Sequence, residues 1–65
     1  MNLQDVIRIV NDVEARKGDD ESAHSLEDDL HQSVLAEVAL GNPQSKAMAK
    51  EALKTLEIKF SRWCA

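Results

Sequence analysis

The sequence predicts an all-α fold, a three-helix domain in which the second and third helices form an antiparallel hairpin. Its two glycines and single proline divide the chain into three pieces. In each piece the apolar residues recur with the period of a helix, and no stretch alternates with period two over a useful length. We therefore expect one domain over residues 1–65, with helices at about 3–17, 20–40 and 43–64.

The first helix is bounded by residue types that favour helix ends. Asn2 is the expected N-cap, and Arg16 and Lys17 suit the negative end of the helix dipole just before Gly18. One stripe of the helix carries its apolar residues, which are Leu3, Val6, Ile7, Val10 and Val13. This stripe is the face that we expect to pack on the other two helices.

The second and third helices are separated by a short turn. Gly41 is expected at the C′ position of the second helix, Asn42 as the next N-cap and Pro43 in the first turn of the third helix. Such a short connection predicts an antiparallel hairpin. The core stripe of the second helix is Ala23, Leu26, Leu30, Val34 and Val38, and the seam of the third is Ala49, Leu53, Leu56, Phe60 and Trp63.

The small size of the chain predicts self-association. Domains below roughly 70–80 residues usually need a metal, disulfides, oligomerisation or very regular helix packing for stability. Cys64 is the only cysteine, so no disulfide can form within the chain. A lone thiol suits a reducing compartment, and the first residues carry no basic leader, so we expect a cytoplasmic protein. We expect a homodimer or a higher oligomer.

Charge is unevenly distributed along the chain and argues against two classes of partner. Net charge is −4, with three basic and ten acidic side chains in residues 1–41 and five basic and two acidic ones in residues 42–65. An acidic chain without a recognised binding motif is not expected to bind nucleic acid directly. No apolar run approaches the roughly 20 residues that span a bilayer, so no membrane association is expected.

The stretch "DESAHSLEDDLH" carries two histidines among five carboxylates. On a helix, four of these side chains fall within about 60° of one another and form one polar line. Imidazole and carboxylate groups one turn apart can share a divalent metal. The candidate metal ligands are Asp20, His24, Glu27 and His31. One helix offers at most two or three ligands, so a second helix or a second subunit would have to complete the site.

The same residues have simpler interpretations. His24 and His31 can be boundary residues at the edge of the core, with nearby carboxylates accepting hydrogen bonds from their rings, or part of a pH-sensitive contact surface. Catalysis also needs a pocket that holds a substrate, and three short helices barely enclose one. We therefore favour a non-enzymatic protein, with any chemistry placed between subunits.

Two further groups of residues point to contact surfaces. Apolar side chains at or beyond the edges of the helical stripes, together with the two aromatic residues, predict a surface that contacts a partner or a second copy. They are Ile9, Leu35, Ile58, Phe60 and Trp63. An acidic surface of Asp19, Asp28 and Asp29 permits a different hypothesis, in which the protein imitates the charge of DNA.

From "AHSLEDDLH" through "VLAEVALGN" to "EALKTLEIKFSRWCA" the chain resembles small uncharacterised helical proteins of bacteria, phages and prophages. The resemblance covers about the last two thirds of the chain and carries over no functional residue. It implies a protein that binds and modulates a larger machine, such as a host defence system. The leading functional hypothesis is thus a self-associating binding protein, with a metal or small-ligand site and an acidic DNA mimic as alternatives.

Overall fold

Three α-helices, α1 (Leu3–Ala15), α2 (Asp20–Ala39) and α3 (Ser45–Ala52), are followed by a 3-10 helix over Leu53–Glu57. The computed structural model describes residues 1–62, and these residues form no strand. After the turn that follows α2, α3 runs back along it until Ala52 contacts His31 in the middle of α2, so α2 and α3 are antiparallel, and α1 packs against both. The prediction of an all-α, three-helix fold with a hairpin of the second and third helices is confirmed.

Local hydrogen bonds fix the helix ends close to where the sequence places them. The Asn2 side chain accepts from the Asp5 amide and the Asp5 carboxylate accepts from the Asn2 amide, both at 3.0 Å, which forms a capping box. Asp19 caps α2 by accepting from the Ser22 amide. Gly41 has φ +78°, the left-handed conformation expected after a helix end.

The third helix is shorter than predicted at both of its ends. It begins at Ser45 because the Asn42 side chain accepts a hydrogen bond from the Gln44 amide and forms a turn before the helix starts. The α-helix ends at Ala52, and after the 3-10 helix the backbone of Ile58 is extended. The α-helix predicted over 43–64 is therefore wrong for residues 53–62, and Trp63 lies outside the described residues.

Side chains that compete for the Ala52 carbonyl explain why α3 stops there. The Thr55 hydroxyl donates to this carbonyl at 3.0 Å, and Nε2 of His31 lies 3.2 Å from it. A side chain that occupies a helical carbonyl offers the backbone an alternative to the next α-helical hydrogen bond. The chain tightens into a 3-10 helix and then turns back across α2 as an extended stretch, which we call the return segment (residues 58–62).

Two adjoining clusters of buried residues form the core. The first unites the three helices through Val6, Leu30, Val34, Met48 and Ala52. The second consists of Val13 from α1, Ala23 from α2 and Ile58 from the return segment, with Leu26 and Phe60 packed against it. The return segment therefore closes the end of the domain that α3 does not reach.

Candidate functional site

The polar line of α2 is defined as Asp20, His24, Glu27 and His31, and all of these except His24 contact the return segment or the 3-10 helix. Asp20 Oδ1 accepts from the Ser61 amide at 3.1 Å, and His31 Nε2 lies 2.9 Å from Thr55 Oγ1. Glu27 binds Arg62. Three of the four side chains thus hold the chain to itself, which agrees with their interpretation as boundary residues of the core.

Glu27 and Arg62 form the strongest of these contacts. Arg62 Nε donates to Oε1 of Glu27 and Nη2 donates to Oε2, each at 2.9 Å, so the guanidinium binds the carboxylate in a bidentate manner. The Glu27 side chain is buried, whereas about a third of the Arg62 side chain is exposed. Arg62 also donates to the carbonyls of Thr55, Ile58 and Phe60 and lies over the Phe60 ring. One guanidinium therefore ends the 3-10 helix and fixes the return segment.

The electrostatics of this pair favour the ionised carboxylate. The hydrogen bond from Arg62 holds the pKa of Glu27 below its ordinary value of 4.5, although burial acts in the opposite direction. The same contact raises the pKa of Arg62. Both groups are charged at neutral pH, and each satisfies the other, as a buried ion requires.

His31 and Thr55 form a second polar contact beneath the 3-10 helix. The hydroxyl proton of buried Thr55 is donated to the Ala52 carbonyl, so its oxygen accepts from His31. Nε2 of His31 also faces the Ala52 carbonyl, which can only accept. A proton on Nε2 can be donated to both oxygens, so this geometry predicts the Nε2–H tautomer for the neutral ring.

The grouping of residues that could hold a metal differs from the predicted set. Ligand atoms of His24, Glu27 and Asp28 lie within 4.8 Å of one another, whereas Asp20 and His31 are engaged elsewhere. His24 Nε2 is 3.4 Å from the Asp28 carboxylate. Both oxygens of Glu27 already accept from Arg62, so the cation at this carboxylate is a guanidinium. A divalent ion would have to displace it.

A second feature is an open apolar groove of about 250 Å³ between α2 and α3. His31, Val34 and Leu35 line it from α2, Ala49 and Ala52 line it from α3, and Leu53 of the 3-10 helix completes the lining. Val38 follows Leu35 by one helical turn and Leu56 follows Leu53 by one turn of the 3-10 helix. We call the exposed side chains around this groove the groove face: Leu35, Val38, Leu53 and Leu56.

The predicted contact residues are divided by the structure. Leu35 is 67% exposed and belongs to the groove face, as expected of a contact residue. The prediction for Ile58 is wrong, because the return segment places this residue in the core with only 8% exposed. Ile9 and Phe60 are partly buried against the two core clusters. The last of the set, Trp63, lies beyond the described residues.

The acidic side chains that suggested a DNA mimic have local partners in two of three cases. Asp19 caps α2, and Asp28 pairs with His24. Asp29 is exposed and makes no ion pair within residues 1–62. The helix cap and the histidine contact account for Asp19 and Asp28 without a partner, so the structure adds no support for mimicry.

Periodicity alone did not reveal three of the residues that define the site. Arg62 was counted only as a basic residue of a third helix, yet it is the partner of Glu27. Leu53 and Leu56 were assigned to the buried seam, yet each is 57% exposed. Their signal was the β-branched pair Thr55 and Ile58, which is unfavourable in a helix and marks the change of conformation.

The described residues thus form a small all-α protein with two notable features. One is the set of polar contacts between α2 and the return segment, and the other is the exposed groove between α2 and α3. No family model, curated protein or solved structure matches the chain. Among residues 1–62, every helix is too short or too polar to cross a bilayer.

Proposed function

We propose that this protein is a small self-associating binding module that modulates a protein partner, and that the groove face is its contact surface. The observation that carries the proposal is an apolar groove in whose lining Leu35 and Leu53 are exposed, with Val38 and Leu56 exposed one turn further along the chain. An apolar patch of this kind on so small a domain is typical of an interaction site. The resemblance to phage and prophage proteins supports an inhibitor of a host system as the form that this function takes.

The structure also supports a binding role over catalysis. The polar residues that could perform acid–base chemistry bind other parts of the same chain, and the groove is lined almost entirely by apolar side chains. Apolar grooves provide binding energy, whereas general acid–base catalysis requires positioned titratable groups near a substrate. His31 is the one titratable side chain that lines the groove.

Sedimentation velocity over a wide concentration range tests self-association. We expect the wild type to associate as concentration rises, and Leu35→Glu or Leu53→Glu to weaken association at least about tenfold, since a charge would be buried at the contact. Leu40→Glu is the matched control, because Leu40 is 79% exposed but lies in the turn after α2 and outside the groove. A wild type that stays monomeric throughout would refute self-association.

A protein partner is tested with the same variants. The wild type and Leu40→Glu, each carrying a photo-crosslinking residue at the solvent-exposed position 36, should capture the same protein from a host lysate. Leu53→Glu should lose that protein while retaining the circular dichroism spectrum of a folded helical domain. Equal capture by all three proteins would show that the groove face is not the contact surface.

A divalent metal site is the second candidate, and the proximity of His24, Glu27 and Asp28 supports it. Because Arg62 occupies Glu27, we expect metal binding to be weak in the wild type and stronger in Arg62→Met. Thermal melts with Zn²⁺, Mn²⁺ or a chelator test this, with Arg62→Met/His24→Ala as the control that lacks a ligand. Melts of Arg62→Met that coincide with and without metal would exclude the site.

A further inference from the structure

The charge beside the groove face is opposite in sign to the charge of the whole chain. Net charge is −4, yet Lys46 and Lys50 are exposed on α3 and precede the groove residues Ala49 and Leu53 by three positions. Side chains three residues apart on a helix are neighbours on its surface. The α3 edge of the groove is therefore a basic rim.

This basic rim has no counterion within the described part of the chain. Lys54 pairs with Glu51 and Lys17 pairs with Glu14, but neither Lys46 nor Lys50 makes an ion pair or hydrogen bond to residues 1–62. Across the groove from these lysines, the α2 residues that surround Leu35 are uncharged. They are Gln32, Ala36 and Ala39. Nothing from α2 neutralises the two lysines across the groove.

From these observations we infer that the groove accepts an amphipathic helix of a partner protein, with acidic residues along the edge that meets Lys46 and Lys50. This inference rests on the proposed function and names the partner's chemistry. A groove between two helices suits the i, i+3, i+4 and i+7 anchors of a third helix. A partner strand cannot add to a sheet here, since residues 1–62 form no sheet edge.

The size of the groove sets the length of the partner segment. The 8 residues of α3 span about 12 Å and the 5-residue 3-10 helix adds about 10 Å. A partner helix of about four turns covers this length and presents three or four apolar anchors. The carboxylates would supply orientation and a faster association, because exposed charge pairs contribute more to steering than to affinity.

A second copy of the chain complements the groove and its basic rim less well than an acidic-edged helix does. It can cover the leucines, but its own groove face is edged by Lys46 and Lys50, so each of the two faces brings the same positive charge to the contact. Glu37 of α2 already binds the N-terminal amine and Asn42. The homodimer is thus the resting state, which an acidic-edged helix replaces.

Designed peptides test the inference directly. Three labelled helical peptides with the same leucine stripe would carry edges of glutamate, lysine or glutamine, and their binding to the intact protein would be followed by fluorescence anisotropy. We expect the glutamate peptide to bind at least about tenfold more tightly than the lysine peptide at low salt, and the ratio to fall as salt rises. Lys46→Glu/Lys50→Glu should reverse the preference, and Lys54→Glu is the matched control.

Each outcome separates the inference from the proposed function. Equal binding of the three peptides, or an unchanged preference in the double variant, would overturn the basic rim as a determinant. No peptide binding, together with association that Leu53→Glu abolishes, would overturn the inference and leave the self-associating module in place. Sedimentation that shows the glutamate peptide converting dimer to monomer–peptide complex would support both.

Discussion

Arg62 binds both carboxylate oxygens of Glu27 across 35 residues of sequence, and this pair joins the return segment to the middle of α2. The contact is buried on the glutamate side and open on the arginine side. Its geometry makes the end of the domain depend on one ion pair. The consequences for stability can be measured directly.

Removing Arg62 should be costly because it leaves a buried carboxylate without a partner. We expect Arg62→Met to lower the free energy of unfolding by about 3 kcal/mol, near the lower end of the usual range because Arg62 is partly exposed. Arg62→Lys keeps the charge but loses the paired geometry, so its loss should be smaller. Urea denaturation followed by circular dichroism measures both.

The double variant Glu27→Leu/Arg62→Met provides the control for this prediction. It removes both charges, so it should be more stable than Arg62→Met alone. If the two single substitutions instead add independently, the pair is not coupled and the contact contributes little.

Acid should weaken the same contact. The folded-state pKa of Glu27 lies below 4.5, so the unfolded chain takes up this proton first as the pH falls. The stabilisation is complete well above pH 4.5 and is lost as the pH falls through the lower, folded-state pKa. The wild type should therefore be more stable than Glu27→Gln at neutral pH, and the difference should shrink in acid. Thermal melts across this range check it, and a difference that widens in acid would contradict the assignment.

Ile58 and Leu56 distinguish the observed return segment from a continued helix. Ile58 is 8% exposed and Leu56 is 57% exposed, the reverse of what a helical seam through Leu56 would give. At concentrations where the protein is monomeric, Ile58→Ala should cost about 2–4 kcal/mol, whereas Leu56→Ala should change the free energy of unfolding by less than about 0.5 kcal/mol. Equal losses, or a larger loss for Leu56→Ala, would mean that the helix continues.

The tautomer of His31 is accessible to NMR. The Ala52 carbonyl can only accept and the Thr55 hydroxyl oxygen can also accept, so we expect the neutral ring to carry its proton on Nε2. Long-range ¹H–¹⁵N spectra at a pH where the ring is neutral distinguish the two nitrogens. Thr55→Val removes the hydroxyl and should leave the ring with a mixture of tautomers. A wild-type ring protonated on Nδ1 would contradict the arrangement.

Helix periodicity and end signals predicted most of the fold. The capping residue Asn2 and the left-handed Gly41 act locally, so sequence spacing reveals them. The end of α3 depends on His31 and Thr55, which are 24 residues apart and meet only in the folded chain. Local sequence patterns therefore predict that the helix continues past Ala52, where a tertiary contact ends it.

The sequence predicted the polar line of the candidate site but not the partners of that line. Helical spacing predicted that Asp20, His24, Glu27 and His31 share one line. Asp20, Glu27 and His31 bind the return segment or the 3-10 helix. The contacts of the polar line depend on Arg62. The position of Arg62 follows from the change of backbone conformation at Ile58. The groove face was exposed by that same change, since Leu53 and Leu56 no longer lie on a buried seam.

The division of the core into two clusters implies that the domain opens in stages. Only Ile58 and its neighbours close the second cluster, while three helices share the first. Local unfolding in proteins proceeds in such cooperative units. Release of the return segment would uncover Val13 and Ala23 while Leu30 and Met48 stay packed, so amide hydrogens near Ala23 should exchange with solvent sooner than those near Leu30. The domain thus contains a partly unfolded state that lies well below complete unfolding in free energy.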